Sequence, residues 1–364
     1  MDIKMQRIPY RTAGNMLLIF LFFLLAACTG KKQPAEPVPS KEKTATLLQY
    51  LEENGNLLNS PALPALINAD DLFRLLHAQN VHIIDVRPLD AYREGHIQHS
   101  IHVRPSQILD HFEQVIDPGS FDLIVLVCEN AMTSAYVNSV LLMLGYNNVL
   151  TLRYGLSSWD SDIADGNWLG AMSDHMEGRL VFQDNPKGPA GDLPAITTGE
   201  TNGYRILRAR ARKVLQEHIP GSMVSINELM ERPEDFYIIN YWPRALYEAG
   251  HLPGAIQYTP KSSLHSNQYI HTLPTDKPIV LYCFTGHHSA YVTPFLRMLG
   301  YDAYNLPYGA NSFIHTTMLT TQVATRSFTE ASIHHFPLVG KDHSELLVPE
   351  KEEEERAVPI IGGC

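Results

Sequence analysis

Leu123-Ile124-Val125-Leu126-Val127-Cys128, with Ser134-Ala135-Tyr136-Val137 after a five-residue gap, is written a second time as Pro278-Ile279-Val280-Leu281-Tyr282-Cys283 and Ser289-Ala290-Tyr291-Val292. The offset, 283 minus 128, is 155 residues. It also lays Asp85-Val86-Arg87 on Asn240-Tyr241-Trp242, Gly95-His96-Ile97 on Gly250-His251-Leu252, and Met143-Leu144-Gly145-Tyr146 on Met298-Leu299-Gly300-Tyr301. One residue out of step, Tyr154-Gly155 meets Tyr308-Gly309. Self-similarity at so long a period means a duplicated domain. The repeated element carries chemistry, because an apolar strand delivers a thiol into a short loop that opens a helix.

The surrounding pattern alternates strands and helices. Val81 to Val86 and Leu123 to Val127 are nearly all apolar, as strands buried on both faces are. Asn68 caps a helical pattern through Leu76, and a helix from Ser134 to Leu144 is ended by Gly145. Val149 to Leu152 reads as a last short strand, and the second repeat has the same order from Val224 to Phe313. Such alternation calls for parallel sheets with helices on both faces. The expectation is an α/β protein of two domains, 61–173 and 216–325. A connector spans 174–215, and a basic helical stretch from Arg205 to Gln216 leads into the second domain.

In this order and spacing the motifs resemble the rhodanese family of sulfurtransferases, in tandem. The residues that carry the resemblance are Asp85-Val86-Arg87 before Tyr92, the run Gly250 to Ala255, and a cysteine followed six residues later by Ser-Ala. The glycine turns at Gly155 and Gly309 complete it. The resemblance implies a small domain with a central parallel sheet, and sulfur carried as a cysteine persulfide. It implies no cofactor and no metal. A small sulfur-containing anion would donate the sulfur, and a thiol or cyanide would accept it.

The two cysteine loops differ. Cys283-Phe284-Thr285-Gly286-His287-His288-Ser289 has a glycine where a tight cradle needs conformational freedom. Its two histidines occupy slots that are often arginine in the family. Cys128-Glu129-Asn130-Ala131-Met132-Thr133-Ser134 lacks both glycine and cation, and a carboxylate beside a thiol raises its pKa. Cys283 is therefore expected to be catalytic, with Phe284 to Ser289 binding substrate; His287 and His288 can carry partial positive charge towards an anionic donor, though at neutral pH they are mostly uncharged. Cys128 is the weaker candidate. The scaffolds depart from the family in the opposite sense. The first repeat has Gln98-His99-Ser100 for the usual Pro-Gly-Ala, and the second has Asn240 and Trp242 for Asp and Arg. The alternative expectation is a non-catalytic, lipid-anchored rhodanese-like module of an envelope complex.

Residues 1–27 read as a targeting segment. Lys4, Arg7 and Arg11 precede an apolar run from Met16 to Leu25, and Leu25-Ala26-Ala27-Cys28 resembles the bacterial lipobox. This implies acylation at Cys28, anchoring to a membrane by lipid, and a periplasm-facing or outer-membrane lipoprotein of a Gram-negative-type bacterium, with an envelope protein as partner. Residues 28–60 then read as a tether, and 326–364, with the charge run Glu350 to Arg356, as an acidic flexible tail. A net charge of −11 argues against a nucleic-acid partner. Four cysteines are too few, and too distinct in setting, for a disulfide framework.

Overall fold

The structure, a computed structural model, describes residues 37–76 and 80–340. Cys28, the leader, the Glu350 run and Cys364 lie outside the described residues. No helix among the described residues is long and apolar enough to cross a membrane.

Two parallel sheets form the core. The first has five strands: β1 (Leu66–Ile67), β2 (Val81–Asp85), β3 (Ile101–His102), β4 (Leu123–Val127) and β5 (Val149–Leu152). Their order is β1-β5-β4-β2-β3. The second has four: β6 (Tyr237–Asn240), β7 (Ile256–Gln257), β8 (Ile279–Tyr282) and β9 (Ala303–Asn305), in the order β7-β6-β8-β9. Every pairing between strands of these two sheets is parallel. The strands richest in Ile, Leu and Val, β4 and β8, lie inside the sheets and are buried along their whole length. Each runs straight into its cysteine. The chemistry-bearing loops thus stand at the carboxyl ends of central strands, where open α/β sheets hold their ligands.

Each cysteine loop leads into a twelve-residue helix, Met132–Met143 in the first domain and His287–Met298 in the second. Neither helix has a polar face. Eleven of the twelve residues are buried in each, because the two helices pack against one another across the domain seam. Some polar groups inside the seam are paired: Asn138 Nδ2 donates to the Tyr291 hydroxyl (2.7 Å), which in turn donates to the Ala65 carbonyl oxygen (2.7 Å). Ser139 Oγ donates to the Tyr291 carbonyl at 2.6 Å. Arg210, on the Gly203–Gln216 helix, donates to the carbonyls of Arg297 and Met298, closing the C-terminal end of the second seam helix.

Two segments expected to be unstructured are built into the fold. In the tether, Ser40 caps a helix at Lys41–Glu53 by accepting from Lys43 N–H, and Leu47, Leu48 and Leu51 are buried. That helix packs on Gly203–Gln216, and Glu52 accepts from both the backbone and hydroxyl of Ser266 at 2.6 Å. At the other end, residues 326–340 are no solvated tail but a strap laid across the first domain. Phe336 stacks on Phe73 with ring centroids 4.0 Å apart, Trp159 Nε1 donates to the Pro337 carbonyl, and Val339 pairs with His96 through two backbone hydrogen bonds. Its apolar residues, spaced among polar ones, carry no helical or strand period, so periodicity alone could not reveal the packing.

Gly155 and Gly309 hold the cysteine loops in place. A side chain on Gly155 would begin 2.3 Å from the Cys128 carbonyl oxygen, and one on Gly309 would begin 2.2 Å from that of Cys283. Both glycines also have positive φ. By contrast Gly145, at φ +97, has nothing within 4 Å of that position. Gly155→Ala is expected to cost about 3–5 kcal/mol, strain and overpacking together. Gly145→Ala is expected to cost only about 1 kcal/mol. Urea denaturation of the two variants measures the difference, and equal losses would refute the close-approach argument.

Candidate active site

Cys128 sits at the end of β4 with its carbonyl accepting from Leu156 N–H at 2.8 Å. Ala131 has φ +75, matching the φ +77 of Gly286 at the same place in the second loop. The missing glycine therefore does not change the loop, and alanine adopts the left-handed turn at a strain of about 1–2 kcal/mol. The Cys128 Sγ lies 3.4 Å from Ser134 N and 3.3 Å from Ser134 Oγ. One backbone N–H and one hydroxyl are thus in place for charge on sulfur. Against them stand burial, which comes first, and the neighbouring Glu129 carboxylate; together they push the thiol up to about 11. Burial also raises the Glu129 carboxyl, opposed by Arg87.

Arg87 is itself held. Its Nε lies 3.0 Å from both Asp85 oxygens, and Nη2 reaches Asp85 Oδ2 (2.7 Å) and the Gly95 carbonyl (2.5 Å), all in the interior. The ion pair fixes the loop after β2 and leaves Arg87 little net charge to offer. Above Cys128 opens a cavity of about 530 Å³, with Arg87, Arg104, Glu129 and Thr133 on one side and the segment Leu215 to Pro220 on the other.

The second loop has the same backbone and different furnishings. Cys283 accepts at its carbonyl from Ala310 N–H (3.0 Å), and Ser289 Oγ lies 3.6 Å from its Sγ. Every residue from Cys283 to Ser289 is buried, whereas in the first loop Glu129, Asn130 and Thr133 reach solvent while Cys128, Ala131, Met132 and Ser134 are buried. Trp242, standing where the first domain has Arg87, lies flat on Phe284 with ring centroids 4.4 Å apart and planes 3° from parallel. The Arg326 guanidinium sits over the same phenyl ring. The ion pair below is replaced by Asn240 Nδ2 donating to the Tyr282 hydroxyl, which also accepts from Leu252 N–H.

His287 and His288 do not supply positive charge. His287 is packed among Tyr154 and Trp168 from the first domain, and His288 edges onto Tyr241. Burial lowers both to about 3, so both are neutral at neutral pH. The sequence ranks Cys283 above Cys128 on its glycine, its histidines and the Glu129 carboxylate beside Cys128; the glycine and histidines give no advantage, whereas Glu129 does push the Cys128 thiol up. What it missed is the Leu215–Pro220 wall and Arg104, which join the site only through folding. Trp242 with Phe284 was a visible signal, since two large aromatics replace an arginine and an acidic residue at the mouth.

A model of the Rhodanese-like domain matches the chain at residues 68–162 and again at 222–316. The chain belongs to the rhodanese-like domain family, as a two-domain member. Among curated proteins, a tRNA sulfurtransferase of Desulfurococcus amylolyticus is 36% identical over 91 residues, which is 25% of this chain and 17% of that protein. An uncharacterised protein of Buchnera aphidicola is 26% identical over 98 residues, 27% of this chain and 67% of that one. Among solved structures, a thiosulfate sulfurtransferase from Pseudomonas aeruginosa matches 71% of this chain and 45% of its own, with 18% identity and a TM-score of 0.29. A 3-mercaptopyruvate sulfotransferase from Escherichia coli matches 66% and 98%, with 19% identity and a TM-score of 0.24. The chain therefore spans a small part of the first curated relative and less than half of the first structural one.

The buried histidines give an acid-lability test. Unfolded, each takes a proton near 6.5; folded, each resists protonation until about pH 3. The unfolded state therefore binds more protons between those limits, and stability falls as pH drops below 6.5. The slope is about 1.4 kcal/mol per pH unit per histidine. Urea midpoints at pH 7 and pH 5 should differ markedly in the wild type and less in His287→Gln/His288→Gln. The same pH sensitivity in the double variant would show that other groups cause it.

Proposed function

We propose that the chain is a sulfurtransferase that carries sulfane sulfur as a persulfide on Cys128, passing it from a small donor to a thiol or cyanide. The cavity that ends on Cys128 carries this reading, because a double-displacement reaction needs a path for two successive partners to one nucleophile. The two sulfurs are equally buried, and the role expected of Cys283 moves to Cys128 because a cavity borders its loop, walled on the far side by Leu215 to Pro220. In the resting protein the Cys128 thiol is protonated. With a pKa of about 11, the thiolate fraction at pH 7 is on the order of one in 10⁴. Loading of Cys128 should therefore speed up as pH rises from 7 towards 10. Ser134 N–H and Oγ hold charge on sulfur as the proton leaves.

A second reading, a binding module without turnover, is favoured by the same protonated thiol and by Glu129 beside it. Mass spectrometry of the intact protein after exposure to thiosulfate and to glutathione persulfide separates the two. A gain of one sulfur, removed by cyanide, should appear on Cys283→Ser and be absent from Cys128→Ser. The opposite pattern would return the role to Cys283, and no gain on any form would favour the binding module.

We also propose that the protein works outside the cytoplasm, held to a membrane by lipid on Cys28 and facing an envelope partner. Leu25-Ala26-Ala27-Cys28 supports this. Labelled palmitate should enter the wild-type protein in a Gram-negative host and not Cys28→Ala; equal labelling would end the proposal.

A further inference from the structure

A second cavity, of about 210 Å³, opens between the first domain and the strap, and it shares no lining residue with the cavity beside Cys128. Asp70 and Arg153 line it from the first domain, and Ser327, Thr329 and Ser332 from the strap. Ser327 is only 6% exposed, and its hydroxyl is buried without a hydrogen-bond partner. An unpartnered buried hydroxyl is a net cost to the fold, so its place on a cavity wall calls for a reason.

The wall is rich in donors. Arg153 Nη2 donates to the Tyr154 hydroxyl and to the Thr325 carbonyl, each at 2.9 Å, which pins the guanidinium in place. No carboxylate among the described residues pairs with it, so its charge is not cancelled. Thr329 and Ser332 form a capping box, in which each side-chain oxygen accepts from the other's backbone N–H. That commits one lone pair of each oxygen and leaves both hydroxyl protons to donate. Asp70, the carboxylate on this wall, is paired with Arg74 at 3.6 Å.

We propose that this cavity binds a small tetrahedral oxyanion, phosphate or sulfate. Such an ion presents mainly acceptors, which three hydroxyls and an uncancelled guanidinium are placed to satisfy. A water takes up about 30 Å³, so the cavity has room for a five-atom ion and several waters. A metal cation is repelled by Arg153, and a neutral polyol brings donors to a wall already supplied with them. The bound ion joins two parts of the chain, the strap through Ser327, Thr329 and Ser332 and the first domain through Arg153. Arg153 immediately precedes the Tyr154-Gly155 turn that seats the Cys128 carbonyl, so the ion ties the strap to that turn. The site is independent of which cysteine carries sulfur.

The test is the thermal midpoint of the full chain as inorganic phosphate or sulfate is added at constant ionic strength, with sodium chloride as the reference. A ligand that binds only the folded protein raises the midpoint with a saturable dependence set by its Kd, whereas general salting effects do not saturate. Saturation by at least one of the two ions is expected, and the ion that saturates is the one the cavity takes. Ser327→Ala should weaken that apparent Kd about tenfold, the loss of one hydrogen bond to a charged group. Without the ion the same variant should be as stable as the wild type or more so, because an orphaned hydroxyl has been removed. Arg153→Gln should weaken binding further, and Arg153→Lys should restore part of it. A rise that does not saturate with either ion, or an apparent Kd unchanged in Ser327→Ala, would overturn the proposal. So would an ion-free Ser327→Ala protein less stable than the wild type, since the hydroxyl would then be serving the fold itself.

Discussion

Both domains depend on one close approach, that of a glycine α-carbon to the carbonyl of the reactive cysteine. The turn at Gly155 brings Leu156 N–H onto the Cys128 carbonyl, and the turn at Gly309 brings Ala310 N–H onto that of Cys283. No side chain fits there. The contact ties the end of the last strand to the loop after the central one, so the sulfur is aimed by the sheet and not by its own flexible loop. The left-handed turns at Ala131 and Gly286 follow from it, since each loop must reverse within three residues to enter its helix.

On this shared frame the two copies have diverged in what fills the space above the sulfur. The first keeps a buried, hydrogen-bonded ion pair, Asp85 with Arg87, beside an open cavity. A buried pair of this kind costs desolvation and is worth little as stability, so its value lies in geometry. The second has exchanged it for an amide–phenol bond and a stack of Trp242 on Phe284. Aromatic burial suits a wall, and this copy gives its helix and its mouth to packing. That explains why one seam helix begins with two neutral histidines, His287 packed among the other domain's rings and His288 against Tyr241 of its own.

Much of this was legible in the sequence. The offset of 155 residues fixed the duplication, and uniformly apolar stretches such as Leu123 to Val127 located the parallel strands. The loops, the glycine turns and the replacement of Arg87 by Trp242 were all visible as residues. Their consequences were not, because accessibility is set by parts distant in the chain. Trp168 and Arg326 lie over the second loop, and Leu215 to Pro220 faces the first. A histidine in a cysteine loop can carry positive charge on paper, and burial among Tyr154 and Trp168 keeps His287 neutral. The helix at Lys41–Glu53 escaped notice because Pro- and Lys-rich sequence before it set the tone for the whole stretch.

The ends of the described chain are exchanged between the halves. The helix at Lys41–Glu53, which precedes the first domain, bonds through Glu52 to Ser266 of the second. The strap that follows the second domain pairs Val339 with His96 of the first. Each half therefore wears a piece supplied by the other's side of the sequence, like two people with linked arms. Severing the connector would not free two independent proteins, because each would lack the covering for its own apolar surface. The duplicated units have become complementary fragments of one molecule, and the unit on which mutation acts is the pair.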